Sequence, residues 1–170
     1  MITRPPKDVC GGPELHKLFF KEEDFSDKLH LGCGRNYLEG WTNVDYSRSV
    51  KADVYCDLEK PLPFKDNSFD LVYGSHILEH IHKLPELKLE LKRIVKFPGC
   101  VCFVVPYYLS DDAWGDDTHC RAFSEHSFWS AYWPGFNTID IKQMPAVEQN
   151  TQGKLTWLVG CLGRLQTGCS

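Results

Sequence analysis

Lys28-Leu29-His30-Leu31-Gly32-Cys33-Gly34-Arg35-Asn36 is the stretch whose reading decides the fold. A short apolar run feeds straight into a Gly-x-Gly turn. That is how an α/β fold brings backbone N–H groups up to a nucleotide-like ligand. Glycines also mark many ordinary strand-to-helix turns. The weight of this one comes from the residues that follow it, at matching places along the chain.

Working outward, Trp41-Thr42-Asn43-Val44 reads as a second strand with Asp45 at its end, after a short helix near Asn36 to Leu38. Ala52 to Cys56 alternates apolar and polar, as a third strand does, and Asp57 closes it. Pro61 and Pro63 forbid regular structure through Phe64, and Asp66-Asn67 signals a turn. Phe69 to Tyr73 is a fourth strand leaving through Gly74-Ser75. A helix is predicted over His76 to His82, and a second over Pro85 to Phe97. In the second, Leu84, Leu87, Leu91, Ile94 and Val95 make one apolar stripe, and Pro98-Gly99 stops it. Cys100 to Val105 is a near-continuous apolar run, as a central strand buried on both faces requires.

Beyond Pro106, Leu109 to Arg121 is a polar loop with four aspartates, Trp114 and His119. Ser124 caps a predicted helix that reaches about Trp133, with Phe123 and Phe128 as its staple. Two last strands follow, Asn137 to Gln143 and Leu155 to Gly160, joined through Glu148 to Lys154. At the other end, residues 1 to 12 read as an irregular arm, and Pro13 to about Glu23 as a short helix lying on the sheet.

Composition sets bounds. The 170 residues suit one domain, 42% apolar and 25% charged, with no linker and no internal repeat. A net charge of −4 disfavours bulk nucleic acid as partner. No apolar run reaches the ~18 residues of a membrane span, and the N-terminus has no apolar signal core, so the expected address is the cytoplasm. Of eight cysteines none forms a Cys-x-x-Cys pair, and most lie in strand-like runs. They read as reduced thiols used as small hydrophobes.

Alternating strands and helices predict an α/β fold, a mostly parallel sheet with helices on both faces. Ligands bind beyond the carboxyl ends of such strands. The unusual residues gather at that edge: Gly32 and Gly34, then Asp45, then Asp57, then Ser75 and His76, then Pro106-Tyr107-Tyr108. Glycines let a ligand approach the backbone. Asp45 can accept from two ribose hydroxyls, Asp57 from an exocyclic amine, and Leu58 offers an apolar wall to a base. Together these describe an adenosine site.

These residues also carry a family resemblance. Leu31-Gly32-Cys33-Gly34, Gly40-Trp41-Thr42-Asn43-Val44-Asp45, Asp57-Leu58, Leu62-Pro63-Phe64, Asn67 to Val72, Leu78-Glu79-His80-Ile81 and Pro98-Gly99 occur in order at suitable spacing. Over about residues 28 to 106 the chain resembles the class I S-adenosylmethionine-dependent methyltransferases, and most closely the group called type 11. It departs at His30, where the family often has an acid, and at Asn36, where a third glycine is usual. The resemblance implies a Rossmann-like seven-stranded sheet of order 3-2-1-4-5-7-6 with strand 7 antiparallel. It implies S-adenosyl-L-methionine as cofactor, with Gly32 and Gly34 at its methionine and ribose, Asp45 on the ribose hydroxyls, Asp57 and Leu58 on adenine, and Ser75 and His76 facing the transferred methyl. His30, Cys33 and Tyr46 complete the candidate cofactor shell.

A hydroxyl acceptor needs a general base. His119, in Asp116-Asp117-Thr118-His119-Cys120-Arg121, is the favoured candidate, since the segment resembles an Asp-x-Thr-His-x-Arg loop of some family members. The alternative makes His119 a mere cap of the following helix. His76 is the second catalytic candidate, and Arg121 would hold an anionic or polyhydroxyl substrate. His76 and His80 lie one turn apart while His82 points elsewhere, so no metal site is expected. Tyr107, Tyr108, Trp114, Phe123, Trp129 and Trp133 read either as an aromatic wall or as packing. A nicotinamide-dependent oxidoreductase is disfavoured by Asn36 and Tyr37 where its third glycine belongs. The acceptor is unnamed, with a small molecule or glycan hydroxyl preferred. A homodimer or a partner subunit would cover it, and a non-catalytic cofactor-binding subunit is the other reading.

Overall fold

A computed structural model describes residues 21–145 and 155–165. Seven strands form one sheet: β1 (Lys28–Leu31), β2 (Thr42–Asp45), β3 (Val54–Tyr55), β4 (Phe69–Ser75), β5 (Val95–Pro106), β6 (Phe136–Pro145) and β7 (Leu155–Arg164). Their order is β3-β2-β1-β4-β5-β7-β6. β1 through β5 pair in parallel, and β7 runs antiparallel to both β5 and β6. This is the expected sheet.

Strand alternation splits the core in two. On β5, Val101, Phe103 and Val105 join Leu29, Leu31 and Val72 on one face. Cys100, Cys102 and Val104 join Leu71, Tyr73 and Cys161 on the other. The helix α1 (Leu84–Ile94) lies on the first face through Leu84, Leu87, Leu91 and Ile94. It is the one α-helix among the described residues, so helices flanking both faces are met there on one face only.

The helix ends three residues earlier than predicted, and Val95 is already extended and paired with Phe69. β-branched Ile94 and Val95 weaken the helix, and Pro98 forces Phe97 away from helical backbone. Asn67 and Ser68 donate to the carbonyls of Arg93 and Ile94, which fixes the stop. Pro98-Gly99 therefore falls inside β5, between Val95 and Cys100, where the ladder with β4 skips.

Other predicted helices shrink. Residues 36–38 form no helix. The segment 76–82 keeps only a 3-10 turn, Leu78–His80, because His76 stands at φ 52. The helix predicted over 124–133 is two 3-10 turns, Glu125–Phe128 and Ser130–Tyr132, separated by extended Trp129. The third strand has two residues rather than five, whereas the last two strands are each longer than expected. The arm 1–12, most of the helix at 13–23 and the link 148–154 lie outside the described residues. Among the described residues no helix is long and apolar enough to cross a membrane. The six described cysteines are free. Burial pushes the thiol of Cys33 up to about 11 and that of Cys100 up to about 12, as suits packing rather than chemistry.

Candidate active site

The glycine turn and the acid after β2 are one unit. Cys33 N donates to Val44 O at 2.9 Å, and Gly34 N donates to Asp45 Oδ2 at 2.8 Å. The other oxygen, Oδ1, accepts from Ser47 N at 2.8 Å. A carboxylate has about four lone-pair positions, so two remain for a ligand's hydroxyls. Gly32 has φ 62, and a Cβ there would sit 2.7 Å from the Ile77 side chain. Ile77 presses equally on Gly74, whose Cβ would lie 2.9 Å away. At Gly34 (φ 53) nothing stands within 4 Å of the Cβ position, so the turn opens outward there.

The ten residues between β1 and β2 hold their shape without a helix because of Asn43, which is fully buried. Its Nδ2 donates to Leu38 O, Trp41 O and Asp53 Oδ2, and its Oδ1 accepts from Leu38 N at 2.9 Å. Asp53 also accepts from Asn43 N at 2.7 Å and the Tyr37 hydroxyl at 2.7 Å. Burial pushes the Asp53 carboxyl up, but these donors prevail and hold it below the usual carboxylate range. Asn43 and Asp53 were missed by the sequence reading; a polar residue amid an apolar strand was the available signal.

At the carboxyl ends of β2 and β3 lies a cavity of about 520 Å³ lined by Tyr46, Ser47, Arg48, Tyr55, Cys56 and Asp57. That is ample for a nucleoside. The N–H of Glu59, at 3.0 Å, holds the Asp57 carboxyl below the usual range, aided by Lys60. Two expected members are buried. Leu58 is buried in the core beside the cavity. His30 is 2% exposed, stacked on Tyr73 at 5.4 Å, with Nδ1 3.2 Å from Asn43 Oδ1. Strand alternation turns His30 away from the face that carries Leu29 and Leu31.

A second group forms where β4 ends. His76 N donates to Val104 O at 2.9 Å, and its Nδ1 lies 3.2 Å from Oε1 of Glu79, a carboxylate only 1% exposed. The left-handed backbone of His76 is costly for a side-chain-bearing residue, and such strain gathers at functional sites. The loop after β5 folds back here: Cys120 N donates to Glu79 O at 2.9 Å. This brings the rings of His80 and His119 to 4.7 Å. His119 Nδ1 sits 3.2 Å from Ala113 O, the end of the 3-10 turn Asp111–Ala113, so its ring faces the preceding turn and not the following helix.

Arg121 points instead to His82 O and lines a second cavity, about 370 Å³, with Lys88, His126 and Tyr132. Burial, and then the Arg121 charge, push the Lys88 ammonium down to about 8. Of the aromatics read as wall or packing, Tyr107, Phe123 and Trp133 are buried, while Tyr108, Trp114 and Trp129 are exposed.

The family profile described as a methyltransferase domain matches residues 29–103, which hold the glycine turn, Asp45, Asp57 and the β4 exit. The match covers less than half of the 170 residues, and over that stretch the chain is similar to methyltransferase domains. Among its relatives is the uncharacterized protein MJ0638 of Methanocaldococcus jannaschii, 32% identical over 106 residues, covering 54% of this chain and 47% of that one. The human mitochondrial arginine-hydroxylase NDUFAF5 is 28% identical over 111 residues, 55% of this chain and 32% of that protein. The chain thus spans about half or less of the length of the curated relatives it matches. An S-adenosylmethionine-dependent methyltransferase from Mesorhizobium loti shares the fold at a TM-score of 0.70, with 15% identity over 92% of this chain and 100% of the other. S-adenosylmethionine is the family's cofactor, and the site fits it: a carboxylate with spare lone pairs, a glycine turn open to the outside and a nucleoside-sized cavity beside them.

Proposed function

We propose that the chain transfers a methyl group from S-adenosylmethionine to a hydroxyl of a small molecule or glycan. The supporting observation is the Gly34–Asp45 bond beside the cavity at the ends of β2 and β3. Asp45 takes the ribose hydroxyls, Asp57 the adenine amine, and Gly32, Cys33 and Gly34 the methionine side. Tyr46 borders the base, and Ser75 and His76 stand at the transferred carbon. Bound S-adenosylmethionine supplies an electrophilic methyl on a sulfonium, so the protein's task is to position and desolvate the acceptor.

His119 is the group we assign to the acceptor's proton. Ala113 O can only accept, so Nδ1 of His119 carries hydrogen and Nε2 keeps its lone pair. Arg121 and Lys88, lining the neighbouring cavity, would receive a hydroxyl-rich or anionic part of the substrate.

Calorimetric titration with S-adenosylmethionine and S-adenosylhomocysteine tests the reading. Both ligands bind the native chain, and Asp45→Asn weakens them at least about tenfold, the loss of one hydrogen bond to a charged group. Binding of neither ligand sinks the proposal. Screening small hydroxylated acceptors with labelled cofactor then gives transfer that His119→Asn abolishes. Binding without transfer to any acceptor turns the reading to a cofactor-binding partner subunit.

A further inference from the structure

We infer that Glu79, His80 and His119 form a binding site for a divalent transition-metal ion of the zinc class. One donor atom from each lies within 4.8 Å of the others. Four-coordinate zinc at about 2.1 Å places its ligands about 3.4 Å apart, so the group closes on an ion with roughly an ångström of side-chain movement. The set of two imidazoles and one carboxylate suits zinc and its neighbours, and not calcium or magnesium, which take oxygen donors.

The hydrogen bonds around the rings decide which atoms are available. Thr118 Oγ1 spends its proton on Asp116 Oδ1 at 2.6 Å. It can therefore only accept from His80 Nδ1, 3.0 Å away, and Thr118 O lies on the same nitrogen at 3.4 Å. Nδ1 of His80 is thus protonated, and Nε2 carries the lone pair. Ala113 O fixes His119 in the same tautomer. Both imidazoles are held from behind by acceptors, the arrangement in which outer partners orient metal-binding histidines.

Glu79 supplies the charge. Its Oε2 is buried with no hydrogen-bonding partner among the described residues, and Oε1 has His76 Nδ1 at 3.2 Å beside it. A carboxylate withdrawn from water needs a counter-charge, and a cation between Glu79 and the two rings provides it. The backbone bond from Cys120 to Glu79 O holds the two stretches together before any ion arrives. Three protein ligands leave a fourth position open, as in metal sites that act on a substrate.

The site stands on its own geometry and goes beyond the function proposed above. His119 Nε2 serves either the ion or the acceptor's proton, so with the ion bound His119 is a ligand. The test uses the full chain stripped with chelator and then titrated with Zn²⁺ by calorimetry and with Co²⁺ by visible absorption. One equivalent binds, with Co²⁺ giving the bands of a tetrahedral site. Thr118→Val, which removes a positioning residue, weakens binding about 10- to 100-fold, and His80→Ala and His119→Ala weaken it further. No stoichiometric binding, or affinity unchanged in the two histidine variants, overturns the site. Should a histidine variant fail to fold, Thr118→Val and Glu79→Gln carry the same test. Cofactor titration of the same samples separates the two ideas: S-adenosylmethionine binding without metal binding removes only the metal site, and metal binding without it removes only the cofactor reading.

Discussion

The two edges of the sheet are held by different means. On the β3-β2-β1 side the strands have two to four residues, and the loops between them carry no helix. Polar side chains, the buried Asn43, the half-buried Asp45 and the exposed Asp53, satisfy those loops' backbone groups instead. On the β5-β7-β6 side the strands run ten to twelve residues. There Trp133 stacks on both Phe103 and Phe128, and Phe128 fills the space over Gly160. One edge is clamped by polar side chains and leaves its backbone available to a ligand. The other is sealed by ladders and rings. A fold can therefore shorten one sheet edge almost to nothing, provided that a few polar side chains replace the missing helices.

Breaking the polar clamp is the harshest test of this contrast. Asn43→Ala leaves Leu38 N, Leu38 O and Trp41 O without that partner, and should cost about 3 kcal/mol. Thermal unfolding should then begin roughly 6–12 °C lower. A melting temperature within a degree of the native chain would show that the loop holds itself. The packed edge should yield less. In Gly160→Ala the new methyl would lie 2.2 Å from Phe128 Cδ1, so the ring must move, at about 2 kcal/mol. Denaturant unfolding measures the loss, while cofactor affinity stays within twofold. A large fall in affinity would mean that the two edges are not independent.

The smallest effect concerns Lys88, whose ammonium donates to Tyr132 O and lies over the Trp133 ring. Its folded pKa is about 8 against an ordinary 10.5, so between these values the unfolded chain binds more protons than the folded one. Stability from this group rises with pH across that window, and the full penalty applies below about 8. Relative to Lys88→Met, the native chain should gain on going from pH 7 to pH 10. The gain should be about 1 kcal/mol, discounted for partial exposure. Urea midpoints of both chains at the two pH values check it, and parallel curves would place the charge in water.

What the sequence disclosed follows the same division. The strand ends at Gly32, Asp45 and Asp57 were legible because an apolar or alternating run stops there at a glycine or an acid, and such residue types can be recognised one by one. The apolar run of β5 was legible for the opposite reason, since burial on both faces admits little else. Helix lengths were overread where one residue broke the backbone: His76 by its left-handed turn, Trp129 by its extension, Val95 by pairing with β4. His30 and Leu58 adjoin residues expected at the cofactor, but strand parity sends His30 into the far core and packing buries Leu58. The meeting of Glu79 and His80 with His119 was invisible, because no local spacing records contacts between residues so far apart in the chain.

Ile77 joins three positions into one steric set. Its side chain fills the room over Gly32 and over Gly74, and Phe103 bounds Gly74 from the other side. Gly32 is fixed twice, by its backbone and by that contact, so Ile77 has no freedom to grow. Position 74 lacks the backbone constraint. Among related chains it should therefore vary in concert with 77 and 103, a larger residue at 74 appearing only where both neighbours have become smaller.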